Sequence, residues 1–401
     1  MKKTSLLIAI LLSLAWQQAQ SQWMQTSGGP QNQTVGVAAE DKALYAGTGD
    51  ALFVSTDHGN SWLQPDSSIT QGGTPAIGDS AVFAVLSFSP FTGGQKLYRS
   101  TNRGLTWTAA DTGLSGSVTE LEAIGIKVFA GTIDSGIFFS SNNGSSWATA
   151  GSDIPWVTAL AVNETYVYAG TYPGRVFRSS NNGANWEAAD SGLTPSPPIN
   201  DLATSGTTTF AATGNGVFRM RMGELCWTQV GAGATVLLNK GLHVFVGRSA
   251  GVFLSSNSGD TWADVSSGLP ANYHVVSLAS DSVYVYAGLY YGGVWRRPLS
   301  EIVTSVRLSS NDTPNKFMLQ QNYPNPFNPT TTIEFRIQNS QPTILKVYDI
   351  LGREVATLLS EEKSAGTYTV QWDASGVSSG VYFYRIKAGD FVQTKRMMVV
   401  R

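Results

Sequence analysis

Three kinds of side chain in this sequence could do chemistry, and all three fall in short Gly-, Asn- and Pro-containing stretches between apolar runs. The carboxylates are Asp50 and Asp134. A pair of acids flanking a glycosidic bond can protonate the leaving oxygen and attack or activate water, which is the chemistry of a glycoside hydrolase. The cations are Arg175 and Arg248, whose planar guanidinium can clamp a carboxylate through two parallel hydrogen bonds. The aromatics are Trp156, Tyr172, Tyr273, Tyr290 and Tyr291. Flat rings beside backbone amides suit a sugar ring or an extended peptide. No supporting motif joins Asp50 to Asp134, so no catalytic residue is assigned. A binding surface built on the seven aromatic and basic residues is the first reading, with packing of the same rings against loops beside it.

The elements that position these residues repeat. Ser55-Thr-Asp-His-Gly-Asn-Ser-Trp62 is followed by Ser100-Thr-Asn-Arg-Gly-Leu-Thr-Trp107, Ser140-Ser-Asn-Asn-Gly-Ser-Ser-Trp147, Ser179-Ser-Asn-Asn-Gly-Ala-Asn-Trp186 and Ser255-Ser-Asn-Ser-Gly-Asp-Thr-Trp262. A degenerate copy, Met220-Arg-Met-Gly-Glu-Leu-Cys226, precedes Trp227. Trp-to-Trp spacings from Trp23 are 39, 45, 40, 39, 41 and 35 residues. Each period holds four short strand patterns, as in Val157–Val162, Val167–Thr171, Arg175–Arg178 and Trp186–Ala189. Repeats of about 40 residues with four strands predict a β-propeller.

Inner strands are expected near Val35, Thr74, Val118, Val157, Ile199, Thr235 and Val275, so seven blades. The strand Trp23–Thr26 has no partner of its own and is predicted to complete the last blade, leaving no open edge. In the octapeptide the third residue should accept backbone hydrogen bonds; Asp57, Asn102, Asn143, Asn181 and Asn257 are assigned this structural role. Gly supplies positive φ, and Trp packs between sheets. Up-down-up-down strands place these turns on one face and the candidate loops on the other. That second group comprises Gly49-Asp50, Phe88–Gly94, Ile133–Ser135, Tyr172–Arg175, Asn215, Arg248, Tyr290-Tyr291, Ile154–Trp156 and Asn272–His274.

The octapeptides resemble the Asp-box, or BNR, repeats shared by sialidases, photosystem assembly factors and sorting receptors. In that family the face away from the boxes binds ligand. A sialidase needs an arginine triad, a Tyr/Glu nucleophile pair and an acid/base Asp. The early Arg-Ile-Pro motif is missing, and Arg99, Arg178 and Arg219 fall beside the boxes on the other face. The resemblance therefore implies the fold and favours a non-catalytic glycan- or protein-binding module over a surface glycoside hydrolase.

The C-terminal stretch differs. Leu319-Gln-Gln-Asn-Tyr-Pro-Asn-Pro-Phe-Asn-Pro-Thr-Thr-Thr-Ile-Glu-Phe335, Val347-Tyr-Asp-Ile-Leu-Gly-Arg-Glu-Val355, Ser379-Gly-Val-Tyr-Phe-Tyr-Arg385 and Lys395-Arg-Met-Met-Val-Val-Arg401 occur in order. They resemble the type A C-terminal sorting domain of the type IX secretion system. That resemblance implies recognition by the secretion machinery of a Bacteroidetes-like bacterium. Its alternating runs predict six or seven antiparallel strands in a small immunoglobulin-like sandwich. The prolines at 324, 326 and 329 are expected to extend the chain and block edge pairing.

At the other end, Met1-Lys-Lys, the apolar Leu6–Ala15 and Ala19-Gln-Ser21 form a three-part secretory leader pattern, with cleavage expected after Ser21. The formal charge is −2, and loss of Lys2 and Lys3 takes it to −4, which argues against nucleic acid. No later run is long and apolar enough to span a bilayer. The single cysteine, Cys226, is expected to be a small buried hydrophobe. No metal or cofactor is expected. The organisation read from sequence is therefore all-β: leader 1–21, seven-bladed propeller 22–299, linker 300–316 and sorting sandwich 317–401.

Overall fold

The computed structural model describes residues 22–302 and 317–400 except 32, 68, 70, 88–95, 164, 195–196, 225, 242, 272–273 and 323–324. These form two compact units. The leader, the Phe88–Gly94 loop and Tyr273 lie outside the described residues.

The first unit is a seven-bladed propeller. Alternating apolar and small residues give each blade a second strand buried on both faces, such as Ala43–Thr48 and Val167–Thr171. Blades 3 to 7 each have four antiparallel strands. Blade 1 has three plus a bridge between Val54 and Leu63. In blade 2 the inner edge is split into Gln71–Gly72 and Ala76–Gly78, both paired with Ala81–Ser87. The inner strands Thr34–Glu40, Ala76–Gly78, Val118–Ile124, Val157–Val162, Ile199–Ser205, Val236–Lys240 and Val275–Ser280 neighbour one another in order, and the last neighbours the first.

The ring closes through the N-terminal strand. Met24 and Gln25 pair with Arg296 and Trp295 of blade 7. Trp23 is buried and donates from Nε1 to Val265 O at 2.7 Å. On the other side of the closing blade, His58 of the first octapeptide reaches Asp281 (Nδ1 to Oδ2 2.7 Å), which also accepts from Tyr286 OH at 2.6 Å. Ile302 is fully buried in the core of the last blades, so the propeller's packing runs past the predicted boundary at 299.

The second unit packs a three-stranded sheet (Met318–Leu319, Thr330–Ile337, Gly366–Asp373) on a four-stranded one (Glu354–Lys363, Gln341–Tyr348, Gly380–Ala388, Phe391–Val399). Period-two burial in Thr330–Ile337 and Gly380–Ala388 supplies Ile333, Phe335, Tyr384 and Ile386 to the shared core. Contrary to the expectation from sequence, the proline run does not block pairing. Phe327, between its prolines, makes a parallel bridge to Val399, donating to Met398 O and accepting from Val400 N, both at 3.0 Å. The first and last motifs of the tail thus hold each other.

Candidate ligand face and central channel

The octapeptides spend their polar atoms on their own turns. Asp57 Oδ1 accepts from Ser55 Oγ (2.8 Å) and Ser61 N (2.8 Å), while Ser55 Oγ accepts from Gly59 N at 2.8 Å. Burial works to raise the Asp57 carboxyl, but donors from Ser61 and Ser55 outweigh it and hold it near a pKa of about 2. Asn102, Asn181 and Asn257 do the same work. In the third copy the acceptor is Asn142, not Asn143: Ser140 Oγ and Ser146 N donate to Asn142 Oδ1 at 2.8 and 3.0 Å. Asn143 is the fourth residue, in left-handed backbone at φ 56° like His58, Arg103, Asn182 and Ser258. The turn thus takes two consecutive left-handed residues, and only the second is always Gly.

The box tryptophans rivet blades together. Trp147, Trp186, Trp227 and Trp262 donate from Nε1 to Ala110, Ala150, Ala189 and Val230 O of the preceding blade. Cys226 is exposed rather than buried. It occupies the seventh box position, whose side chain elsewhere serves the acceptor, as Thr106 does for Asn102. In the degenerate copy, where Met222 stands at the third position, the Cys226 Sγ lies 3.2 Å from Ser191 Oγ.

The arginines near the boxes form no carboxylate clamp. Arg99 binds Asn143 O and Ser145 Oγ of the next blade, Arg219 binds Ser258 O and Asp260, and Arg296 binds His58 O and Asn60. Arg178 pairs with Glu187 at 2.6 Å beneath the Tyr166 ring.

On the opposite face a backbone relay builds a platform where blades 3 and 4 meet. Trp156 N donates to Ile133 O at 2.8 Å, and Tyr172 N to Trp156 O at 3.0 Å. The two rings lie 4.8 Å apart at 58°, and each residue is 47% exposed. Trp156 holds φ 49°, the one Trp, Tyr or Phe with positive φ among the described residues. A bulky side chain pays strain there. Blade 7 presents a second pair, Tyr290 and Tyr291, edge to face at 4.4 Å, anchored by Tyr290 N to His274 O.

The charged candidates are engaged. Arg175 pairs with Asp190 at 2.7 Å and lies over Phe177. Arg248 lies over Phe253, and its Nε and Nη2 are covered without a partner, so that edge is closed to an outside carboxylate. Asp50 accepts from Thr48 Oγ1 at 2.7 Å. Asp134 accepts from Ser117 N at 3.3 Å. These acids belong to the turns of blades 1 and 3, with blade 2 between them, and the structure does not join them into a pair.

Sequence reasoning missed the axis of the ring. The inner strands enclose a channel of about 470 Å³ that Glu120, Glu122 and Asp201 line. Asp201 accepts from Leu202 N and from Leu237 N of the next blade, both at 2.7 Å. Protein surrounds all three carboxyls although they keep a view of the channel. Burial, then the Asp201 charge, raises Glu122 to about 8 and lifts Glu120 as well; burial raises Asp201 to about 7. The three do not form a metal-holding group among the described residues. The available signal was the pair of acids at alternate positions in an inner strand, Val118-Thr-Glu-Leu-Glu-Ala-Ile124.

Residues 321–400 match the family described as the secretion system C-terminal sorting domain. No curated protein matches the sequence. Among solved structures, the chain is similar to YCF48 bound to D1 peptide, at 14% identity and a TM-score of 0.55, covering 69% of this chain and 94% of that one. PorZ, a surface component of the type-IX secretion system of Porphyromonas gingivalis, is 14% identical with a TM-score of 0.52, over 94% of this chain and 61% of PorZ. The GH74 xyloglucanase of Xanthomonas campestris is 15% identical with a TM-score of 0.51, over 79% and 59% of the respective chains. At these identities the likeness carries the propeller fold alone. Residues 321–400 are a secretion-system C-terminal sorting domain, attached to a propeller of the fold these structures share.

Proposed function

We propose that this chain is an exported, non-catalytic binding protein whose propeller takes a neutral glycan across the face carrying Trp156 and Tyr172. The Trp156–Tyr172 pair carries this reading: two half-exposed rings held apart by backbone bonds, with the Trp in strained backbone. Tyr290 and Tyr291 add a second apolar surface on the same face. The cations there are paired or covered, which disfavours an acidic sugar. The leader at 1–21, cleaved after Ser21, would bring the chain to the periplasm, and type IX export by the tail would bring it to the surface. Within this organisation the propeller runs from 22 past 299 to the buried Ile302, a linker leads to 316 and the sorting domain spans 317–401.

YCF48, a propeller of similar fold, is described bound to a D1 peptide, so a screen should carry peptides beside glycans. On a glycan array the intact protein is expected to retain neutral oligosaccharides, and Trp156→Ala or Tyr172→Ala to weaken that binding about tenfold or more. Capture of peptides only would overturn the glycan reading. A hydrolysis assay run in parallel should show no turnover; turnover lost in Asp134→Ala would establish a glycoside hydrolase instead.

A further inference from the structure

The motif Val347–Val355 divides into residues that the fold uses and residues that it does not. Val347 is fully buried in the sandwich core. Asp349 Oδ1 accepts from Leu351 N and Arg353 N, both at 2.9 Å, and its Oδ2 accepts from Arg353 Nε at 2.7 Å. Asp349 N donates to Arg353 O, and Gly352 N to Asp349 O, each at 3.0 Å. Gly352 takes φ 78°, which favours glycine. At the base of the hairpin Lys346 pairs with Glu354 at 2.8 Å.

Ile350 and Leu351 take part in none of this packing. They are 69% and 70% exposed, the highest values of any large apolar residue among those described. A surface turn needs only polar residues and glycine. Two adjacent aliphatic side chains are thus held outward, away from the core, on a turn pinned by five hydrogen bonds.

We infer that Ile350 and Leu351 are a docking knob, received in an apolar socket of a protein of the type IX secretion machinery. This rests on the sorting role of residues 321–400, which supplies the occupant: a domain matched as a sorting signal must present something to its reader. Asp349, Gly352 and Arg353 of this motif are committed to the turn, Val347 and Val355 to the core, and Glu354 to the base of the hairpin.

Export of the full chain from a type IX-competent host tests the knob. The arms are deletion of 321–401, Ile350→Asp with Leu351→Asp, and Val392→Asp at another exposed apolar position of the same domain. The deletion and the double variant should each lower the protein outside the cell at least about tenfold, with Val392→Asp unchanged. The purified double variant should melt within about 2 °C of the parent. A photo-crosslinking residue at 351 should capture an outer-membrane secretion component that the same residue at 392 does not. Normal export of the double variant beside a retained deletion overturns the knob alone; export of the deletion overturns the sorting role itself. If the aspartates unfold the tail, the crosslink at 351 decides, and capture of only a second copy of this chain overturns the inference.

Discussion

Asn142 and Asn143 are adjacent, chemically identical and differently employed. Asn142 accepts two hydrogen bonds inside its turn, whereas Asn143 occupies the left-handed position and reaches across to Ser80 Oγ at 2.7 Å. Asn142→Ala is expected to cost about 1–2 kcal/mol, because it strands the Ser146 N–H and frees the turn. Asn143→Gly should change stability by about 0.5 kcal/mol or less, since glycine suits φ 56° and only one exposed bond is lost. Thermal melts of the two variants check the order. Sequence alone could not separate them by residue type; counting from the box Ser does. The same fourth position carries His58 in blade 1, where it meets Asp281 and so serves ring closure as well as its own turn.

Strands were legible wherever apolar alternation met a turn signal, which covers all seven inner strands and both sheets of the sandwich. What remained hidden needed several strands together. Val118–Ile124 read alone is an amphipathic strand with two acids; only the closed ring sets Glu120 and Glu122 toward Asp201 from two blades away. Trp156 was found as a loop aromatic, but its backbone strain and its relay to Ile133 and Tyr172 depend on three loops meeting. The channel makes a pH prediction. Glu122 is raised from 4.5 to about 8, so its ionisation opposes folding. Stability from this group is full below pH 4.5 and declines as pH rises toward 8. Glu122→Gln should therefore flatten the decline and raise the melting temperature at pH 8.5 by about 3 °C or more, with little change at pH 4.5. Melting curves across that range on both proteins give the comparison.

At the scale of the molecule, one two-residue strand completes blade 7 and the tryptophan before it ties that blade to blade 6. Trp23→Ala removes a buried ring and its bond to Val265 O, and is expected to cost about 3–5 kcal/mol. Trp107→Ala should cost less by about 2 kcal/mol, because Trp107 is only partly buried, donates to Gly104 O within its own box and meets blade 1 by packing alone. Hydrogen exchange should rise in blades 6 and 7 for Trp23→Ala and in blades 1 and 2 for Trp107→Ala. The closure also orders events in time. Thr26 N and Oγ1 both donate to Val294 O, 268 positions along the chain. The ring's first strand therefore waits through synthesis of the whole propeller before its partner exists. Contacts this distant slow folding and leave the early blades with unpaired edges. A chain that cannot finish its domain until nearly all of it has been made stays threadable for longer.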